Sequence, residues 1–357
     1  MMDCEIYAED VRDIASEDLP WSRLEGMRVL VTGATGMVGS VLTDVLASRM
    51  EEAGFTLTAM SRGIESLESM FSRYSDRKGF SICAHDVNLP LDGVYDVVFH
   101  CASNTHPLQY STDPIGTITT NVIGLRNLLE ASSGKGRFVF CSSVEVYGQN
   151  RGDTDAFDES YCGYLDCNTV RAGYNESKRV GEALCQAYGS QKGIDFVIPR
   201  LSRLYGPSMR KGDTKAVSQF ITKAACGEDI VLKSKGDQLF SYCYAADAVD
   251  AILNIFFKGE SGNAYNVAGR DSDITLAELA SVLAEAAGTK VVFDIPSETE
   301  SRGYSKAKKA TLDVSKVRGL GWTARHTMRE GLIRTLSAFS SCRVRGSPRS
   351  GQCPRWS

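Results

Sequence analysis

The stretch MRVLVTGATGMVGS, residues 27–40, decides the reading of the fold. Residues 27–33 form a short apolar run that ends in glycine, and the helical pattern VGSVLTDVLASRMEEA follows directly. Gly33, Gly36 and Gly39 stand in a Gly-x-x-Gly-x-x-Gly spacing across the junction. Glycine at a strand-to-helix turn lets a pyrophosphate approach the backbone, and the helix start offers free N–H groups and a positive dipole end to it. Glycines that merely closed a tight turn would leave the same letters. The position between a strand and a helix, near the start of a domain, is the context that specifies dinucleotide binding.

Outward from this turn, the runs FTLTAMS (55–61), YDVVFHCAS (95–103), GRFVFCSS (136–143) and IDFVIPRLS (194–202) are β-rich, each separated by enough chain for a crossover helix. Continuous apolar strands joined by helices predict a parallel sheet covered on both faces. The expected fold is α/β, a Rossmann-type doubly wound parallel sheet with a smaller C-terminal substrate-binding lobe. The expected organisation is an N-terminal extension over 1–26 and a dinucleotide-binding Rossmann domain over 27–202 with a return segment near 240–270. A lobe over 203–335 closes over the carboxyl edge of the sheet, with helices at AVSQFITKAACG and TLAELASVLAEAAG. Residues 340–357, small, basic and without periodicity, are expected to be a disordered tail.

Composition narrows the function. A chain of 357 residues that is 43% hydrophobic with a net charge of −4 is an ordinary globular protein. No basic patch argues for nucleic acid, and no apolar run approaches membrane-spanning length. The acidic N-terminus lacks the basic start and apolar centre of a signal peptide, which points to the cytoplasm. The 11 cysteines show no Cys-x-x-Cys spacing, so thiols are expected rather than disulfides or zinc ligands. His100 and His106 flank one loop without metal-ligand partners at useful spacing and are read as core or loop residues.

One polar stretch, RAGYNESKR (171–179), is not required by packing. It places Tyr174 and Lys178 at i and i+4 on one helix face, which many helices do by chance. A lysine ammonium one turn from a tyrosine also favours the phenolate, which makes the phenol a usable base near neutral pH.

The motifs TGATGMVG, HDV (85–87), FHCAS (99–103), TNVIG (120–124), SSVEVYG (142–148), YNESK (174–178) and RLYGP (203–207) occur in an order that resembles the extended short-chain dehydrogenase/reductase family. The resemblance covers roughly residues 27–335. Within that family the chain looks most like nucleotide-sugar epimerases, 4,6-dehydratases and UDP-glucuronate decarboxylases, and RAGYNESKRVGEALCQAYGSQKGI is especially similar to the decarboxylases.

The resemblance implies catalytic roles for Ser143, Glu145, Tyr174 and Lys178. Tyr174 would take a proton from a sugar hydroxyl, Ser143 would orient that hydroxyl, Lys178 would hold the nicotinamide ribose, and Glu145 would stand beside the sugar ring. It implies dinucleotide contacts from Gly33, Gly36, Met37, Val38, Gly39, Ser61, Arg62, Asp86, Val87, Cys101, Ala102, Ser103 and Asn121, besides Tyr174 and Lys178. Ser103, Glu145, Arg203 and Tyr205 would contact a nucleoside-diphosphate sugar. The cofactor would be NAD, retained through an internal oxidation and reduction, and relatives commonly form homodimers through a helix bundle. The reaction would be decarboxylase-like, with a 4-epimerase or 4,6-dehydratase as alternatives and an NAD(P)-binding regulatory protein as the non-enzymatic one.

Four positions depart from the family pattern. Val144 stands where dehydratases carry an aspartate, which disfavours loss of water. Phe240 stands where an arginine contacts substrate, and Arg203 replaces an asparagine before Tyr-Gly-Pro. Arg203 either restores the missing charge to a diphosphate or carboxylate pocket or marks a changed substrate. The second strand ends in Ser61 and Arg62 rather than an acidic residue, so NADP remains an alternative to NAD.

Overall fold

The computed structural model describes residues 4–105, 112–210, 212–295 and 308–346, with side chains through Ser341. His106 lies outside the described residues. In chain order the first strands are β1 (Arg28–Thr32), β2 (Thr56–Ser61), β3 (Phe80–Ala84), β4 (Val97–His100), β5 (Arg137–Phe140), β6 (Ser142–Ser143) and β7 (Asp195–Leu201). There follow β8 (Arg203–Tyr205), β9 (Ile230–Leu232), β10 (Leu239–Tyr244), β11 (Asn263–Val267), β12 (Asp273–Thr275), β13 (Val291–Phe293) and β14 (Lys309–Ala310).

The main sheet is parallel throughout, in the order β11-β7-β5-β4-β1-β2-β3, with the short β6 also paired to β7. The apolar runs make its centre: Val29, Leu30 and Val31 of β1 and all four residues of β4 are buried. The outer strand β3 is half-exposed and lacks a continuous apolar run. Strand order reverses between β1 and β4, and the carboxyl ends of these two strands open the crevice where such folds bind ligands.

The helix Met37–Ala53 covers one face. It packs beneath an N-terminal helix, Glu5–Ala15, and against Ala245–Lys258, of which every residue but the last is buried. Residues 4–26 are therefore integrated into the fold. Tyr7 Oη donates to Asp44 Oδ2 at 2.6 Å, and Tyr244 Oη donates to Asp10 Oδ2 at 2.6 Å.

Beyond β7 the chain builds a second sheet, β12-β10-β14 with β8 added to β10, and a two-stranded β13-β9 pair. Between these pieces it returns to the main sheet as β11. The expected tail boundary at 340 is corrected, because the last helix runs Met328–Gly346. Burial of Leu332, Leu336 and Ala338 anchors it and carries regular structure into the polar sequence that follows. Eight described cysteines are free thiols, but Cys226 is disulfide-bonded, a departure from the all-thiol expectation. Pairing depends on which segments the fold brings together, which spacing alone does not reveal.

Among the described residues no helix is long and apolar enough to cross a membrane, and no group of three or more His, Cys, Asp or Glu is placed to hold a metal.

Candidate active site

A cleft of about 980 Å3 lies at the carboxyl ends of the main sheet, between it and the second sheet. Its floor begins at the glycine turn. Gly33 has φ +66°, and a Cβ there would stand 2.7 Å from the Ala102 backbone nitrogen. A Cβ on Gly39 would collide with the Gly33 carbonyl. Gly36 caps the helix with no side-chain hydrogen bond, so the first helical N–H groups, at Met37, Val38 and Gly39, are left for a ligand. This is a cradle that side chains would fill and a pyrophosphate fits. Val87, Cys101, Ala102 and Ser103 continue the lining, and Asp86 stands at the rim, accepting from the Asn88 N–H at 3.0 Å.

At the end of β2, Ser61 Oγ shares a 2.9 Å hydrogen bond with Thr35 Oγ1, and Arg62 is exposed. Two contacts from the second half of the chain grip the same turn. Arg210 Nη2 donates to the Thr35 carbonyl at 3.1 Å, and Ser208 Oγ donates to the Met37 carbonyl at 3.0 Å.

Opposite the turn, the helix Ala172–Lys192 buries Tyr174 and Lys178 on the same face, 4% and 3% exposed. Lys178 Nζ donates to the Cys141 carbonyl at 2.8 Å and lies 4.7 Å from the Phe140 ring centroid. Burial pushes its pKa down to about 8, against the opposing pull of Cys141, Cys101 and Glu182. Ser143 ends β6 and accepts from the Glu145 N–H at 3.3 Å, which fixes the turn that brings Glu145 into the cleft. Asn175 Nδ2 donates to the Glu145 carbonyl at 2.9 Å and to Oε2 at 3.1 Å. Arg203 Nη2 lies 3.5 Å from Glu145 Oε1, and the Arg203 guanidinium stacks 3.7 Å above the Phe240 ring. The two unusual residues therefore meet, beside the carboxylate.

The NAD dependent epimerase/dehydratase family profile matches residues 29–268. UDP-glucuronic acid decarboxylase 6 of Arabidopsis thaliana is 33% identical over 313 residues, 86% of this chain and 87% of that protein. The chain belongs to the NAD dependent epimerase/dehydratase family. Solved structures with the same fold include a dTDP-glucose 4,6-dehydratase of Streptomyces venezuelae with NAD bound, at TM-score 0.74 and 23% identity over 89% of this chain and 98% of that one. UDP-glucuronic acid 4-epimerase of Bacillus cereus, in complex with UDP-glucuronic acid and NAD, gives TM-score 0.72 and 22% identity, covering 88% and 100%.

As a member of this family the chain is an NAD-dependent enzyme, and the glycine cradle fits that cofactor. Two expected site residues sit elsewhere. Asn121 is fully buried behind the cleft wall, in a π-helical turn. There it accepts from Ser103 Oγ at 2.8 Å and donates to Ser177 Oγ at 2.9 Å. It braces Ser103 and the tyrosine helix because a buried amide needs partners on both sides. Tyr205 faces the last helix instead of the cleft; it is 1% exposed and its hydroxyl donates to the Met328 carbonyl at 3.3 Å. Tyr205 is the last residue of the short β8, and its ring packs against Tyr244 at a centroid distance of 5.9 Å. His100 is a core residue of the family fold, bonded through Nδ1 to Thr32 Oγ1 at 2.8 Å. Burial, with the Lys178 charge, pushes its pKa down to about 3, so the ring is neutral.

Arg210, Asn175 and Tyr242 line the cleft without having been foreseen. Asn175 was visible inside YNESK, adjacent to Tyr174. Arg210 had no local signal, because its partner Thr35 lies 175 residues away.

Proposed function

We propose that this enzyme acts on a nucleoside-diphosphate sugar by transient oxidation at C4, most nearly as a UDP-glucuronate decarboxylase does. The observation that carries the reading is the pairing, in one cleft, of a dinucleotide-type glycine cradle with the buried Tyr174 and Lys178 and the clamped Glu145. Bound NAD, cradled by Gly33, Gly36 and Gly39, supplies the hydride acceptor and donor at C4.

Tyr174 Oη takes the C4 hydroxyl proton, Ser143 orients that hydroxyl, and the Lys178 ammonium favours the phenolate. The C4 ketone makes a C6 carboxylate a β-keto acid, whose C5–C6 bond breaks with its electron pair passing to C5 as carbon dioxide leaves. Tyr174 returns its proton to the C4 oxygen when the ketone is reduced. Glu145 stands beside C5 to assist protonation there. Val144, 5% exposed in the position of the dehydratase acid, offers no proton to a departing hydroxyl. The second reading, a 4-epimerase, keeps the same residues.

Incubation with UDP-glucuronate and no added reductant is expected to yield a product lighter by carbon dioxide, or an epimer of equal mass, by mass spectrometry. A product lighter by water alone overturns the chemistry. Tyr174→Phe is expected to lower turnover by about 10²–10⁴-fold with dinucleotide still bound. Turnover within about threefold of wild type would remove Tyr174 from the mechanism.

The same reading extends to a cytoplasmic homodimer. Eight free thiols against one disulfide-bonded cysteine among those described favour a reducing compartment. Ile115, Ile118 and Val180 expose apolar surface at 75%, 41% and 43% on two helices that pack together, enough to favour burial against a second copy. Light scattering of the purified chain is expected to give twice the chain mass, and a monomer would defeat this part.

A further inference from the structure

Arg203 differs from Lys178 and Arg210, two other cations of the cleft, in having a buried guanidinium nitrogen without a hydrogen-bond partner among the described residues. Lys178 is bonded to the Cys141 carbonyl, and Arg210 to Thr35. The Arg203 guanidinium carbon lies over the Phe240 ring, 3.7 Å from its centroid, with Nη2 3.5 Å from Glu145 Oε1, while Nη1 is buried with no hydrogen-bond partner among the described residues. Pairing of β8 with β10 sets this arrangement. Arg203 stands opposite Tyr242, and Phe240 precedes Tyr242 by two residues on the same face of the strand. The ring thus supports the guanidinium from one side, and Glu145 draws one of its nitrogens from another. A buried donor with no acceptor is costly unless a ligand supplies one.

Position indicates which part of a ligand supplies it. Glu145 is bonded by Asn175, the neighbour of Tyr174, so Arg203 belongs to the end of the cleft where the reacting sugar carbons must lie. The diphosphate of a nucleotide sugar is attached at C1, across the ring from C4, whereas the C6 carboxylate is carried by C5, the neighbour of C4. Glu145 would also repel a carboxylate on the sugar, and a guanidinium bridging the two anions offsets that repulsion while offering a second N–H edge.

We propose, resting on the nucleotide-sugar reading above, that Arg203 is the specificity residue for a carboxylate on the sugar ring, displayed on the Phe240 platform. The enzyme thereby selects a nucleoside-diphosphate uronic acid over the corresponding sugar with a hydroxymethyl group. The positive charge missing at Phe240 is supplied across the strand pair from Arg203, and Phe240 serves to orient it.

The test is calorimetric binding of UDP-glucuronate, UDP-glucose and UDP to the full NAD-loaded chain in a Tyr174→Phe background, where turnover does not interfere. The protein with Arg203 intact is expected to prefer UDP-glucuronate to UDP-glucose by about tenfold or more, the scale of a charge-assisted hydrogen bond. Arg203→Gln is expected to erase that preference while leaving UDP affinity unchanged. Arg203→Lys, which keeps the charge and loses the fork, is expected to retain part of it, and it serves as the test if the glutamine variant does not fold. Equal loss for all three compounds would make Arg203 a diphosphate contact and overturn the proposal. Equal affinity for the two sugars with Arg203 intact overturns the carboxylate assignment alone. Failure to bind any of the three overturns the nucleotide-sugar reading with it.

Discussion

At the scale of the residue, Lys178 shows how burial and function oppose each other. Its folded pKa, about 8, lies below the 10.5 of an exposed lysine because the ammonium is taken out of water. The folded state therefore binds fewer protons than the unfolded chain between those values. The penalty is fully present below pH 8 and is relieved as pH rises towards 10.5, so this group makes stability increase across that window. In the proposed mechanism catalysis runs the other way, since only the ammonium favours the Tyr174 phenolate. We expect the turnover number to fall as pH rises through about 8, and Lys178→Met to be inactive yet at least as heat-stable as wild type at pH 7. A flat turnover profile to pH 10, or a lower melting temperature in Lys178→Met, would count against this account. The Tyr–Lys pair was legible from spacing and resemblance together, but spacing says nothing of burial, and burial sets the pKa.

At the scale of the element, the glycine turn and the helix after it were readable because strand, turn and helix are contiguous, and each glycine answers a local steric demand. The clasp over that turn was not readable. Arg210 and Ser208, from the segment after β8, hold Thr35 and Met37, so chain from the second half of the protein fastens the turn that cradles the dinucleotide. Arg210→Ala is expected to weaken NAD retention by about tenfold, the value of a guanidinium hydrogen bond, with little loss of secondary structure. Dialysis followed by assay of the dinucleotide released on denaturation measures it. Retention equal to wild type would reduce Arg210 to a surface contact. Tyr205 marks the opposite limit: one residue type in a recognised motif, buried against the last helix with its hydroxyl on the Met328 carbonyl, a partner 123 residues away that no local pattern announces.

At the scale of the whole molecule, the N-terminal helix, the helix Ala245–Lys258 and the last helix are joined by buried charges. Arg334 Nη2 donates to Asp10 Oδ1 at 2.7 Å, and His326 Nδ1 lies 3.0 Å from Asp247 Oδ1. Burial lowers the His326 pKa, but the hydrogen bond and charge of Asp247 outweigh it, and the net shift is upward from 6.5. A raised histidine contributes stability that is complete below pH 6.5 and is lost as pH rises through the folded value. The wild type is therefore expected to lose more melting temperature between pH 6 and pH 8 than His326→Gln does; equal losses would exclude the pair as a source. None of these junctions could be read from patterning. The sequence by itself determined the parallel sheet, the glycine turn and the placing of Tyr174 and Lys178 on one helix face, because apolar runs, turn glycines and helical spacing are local and act over a few residues. The tertiary structure alone decided that Asn121 braces the wall, that Arg203 lies on Phe240 beside Glu145, and that the helix Glu5–Ala15 packs into the core. Those contacts join segments tens to hundreds of residues apart, where direction and burial are set by how the sheets and helices pack.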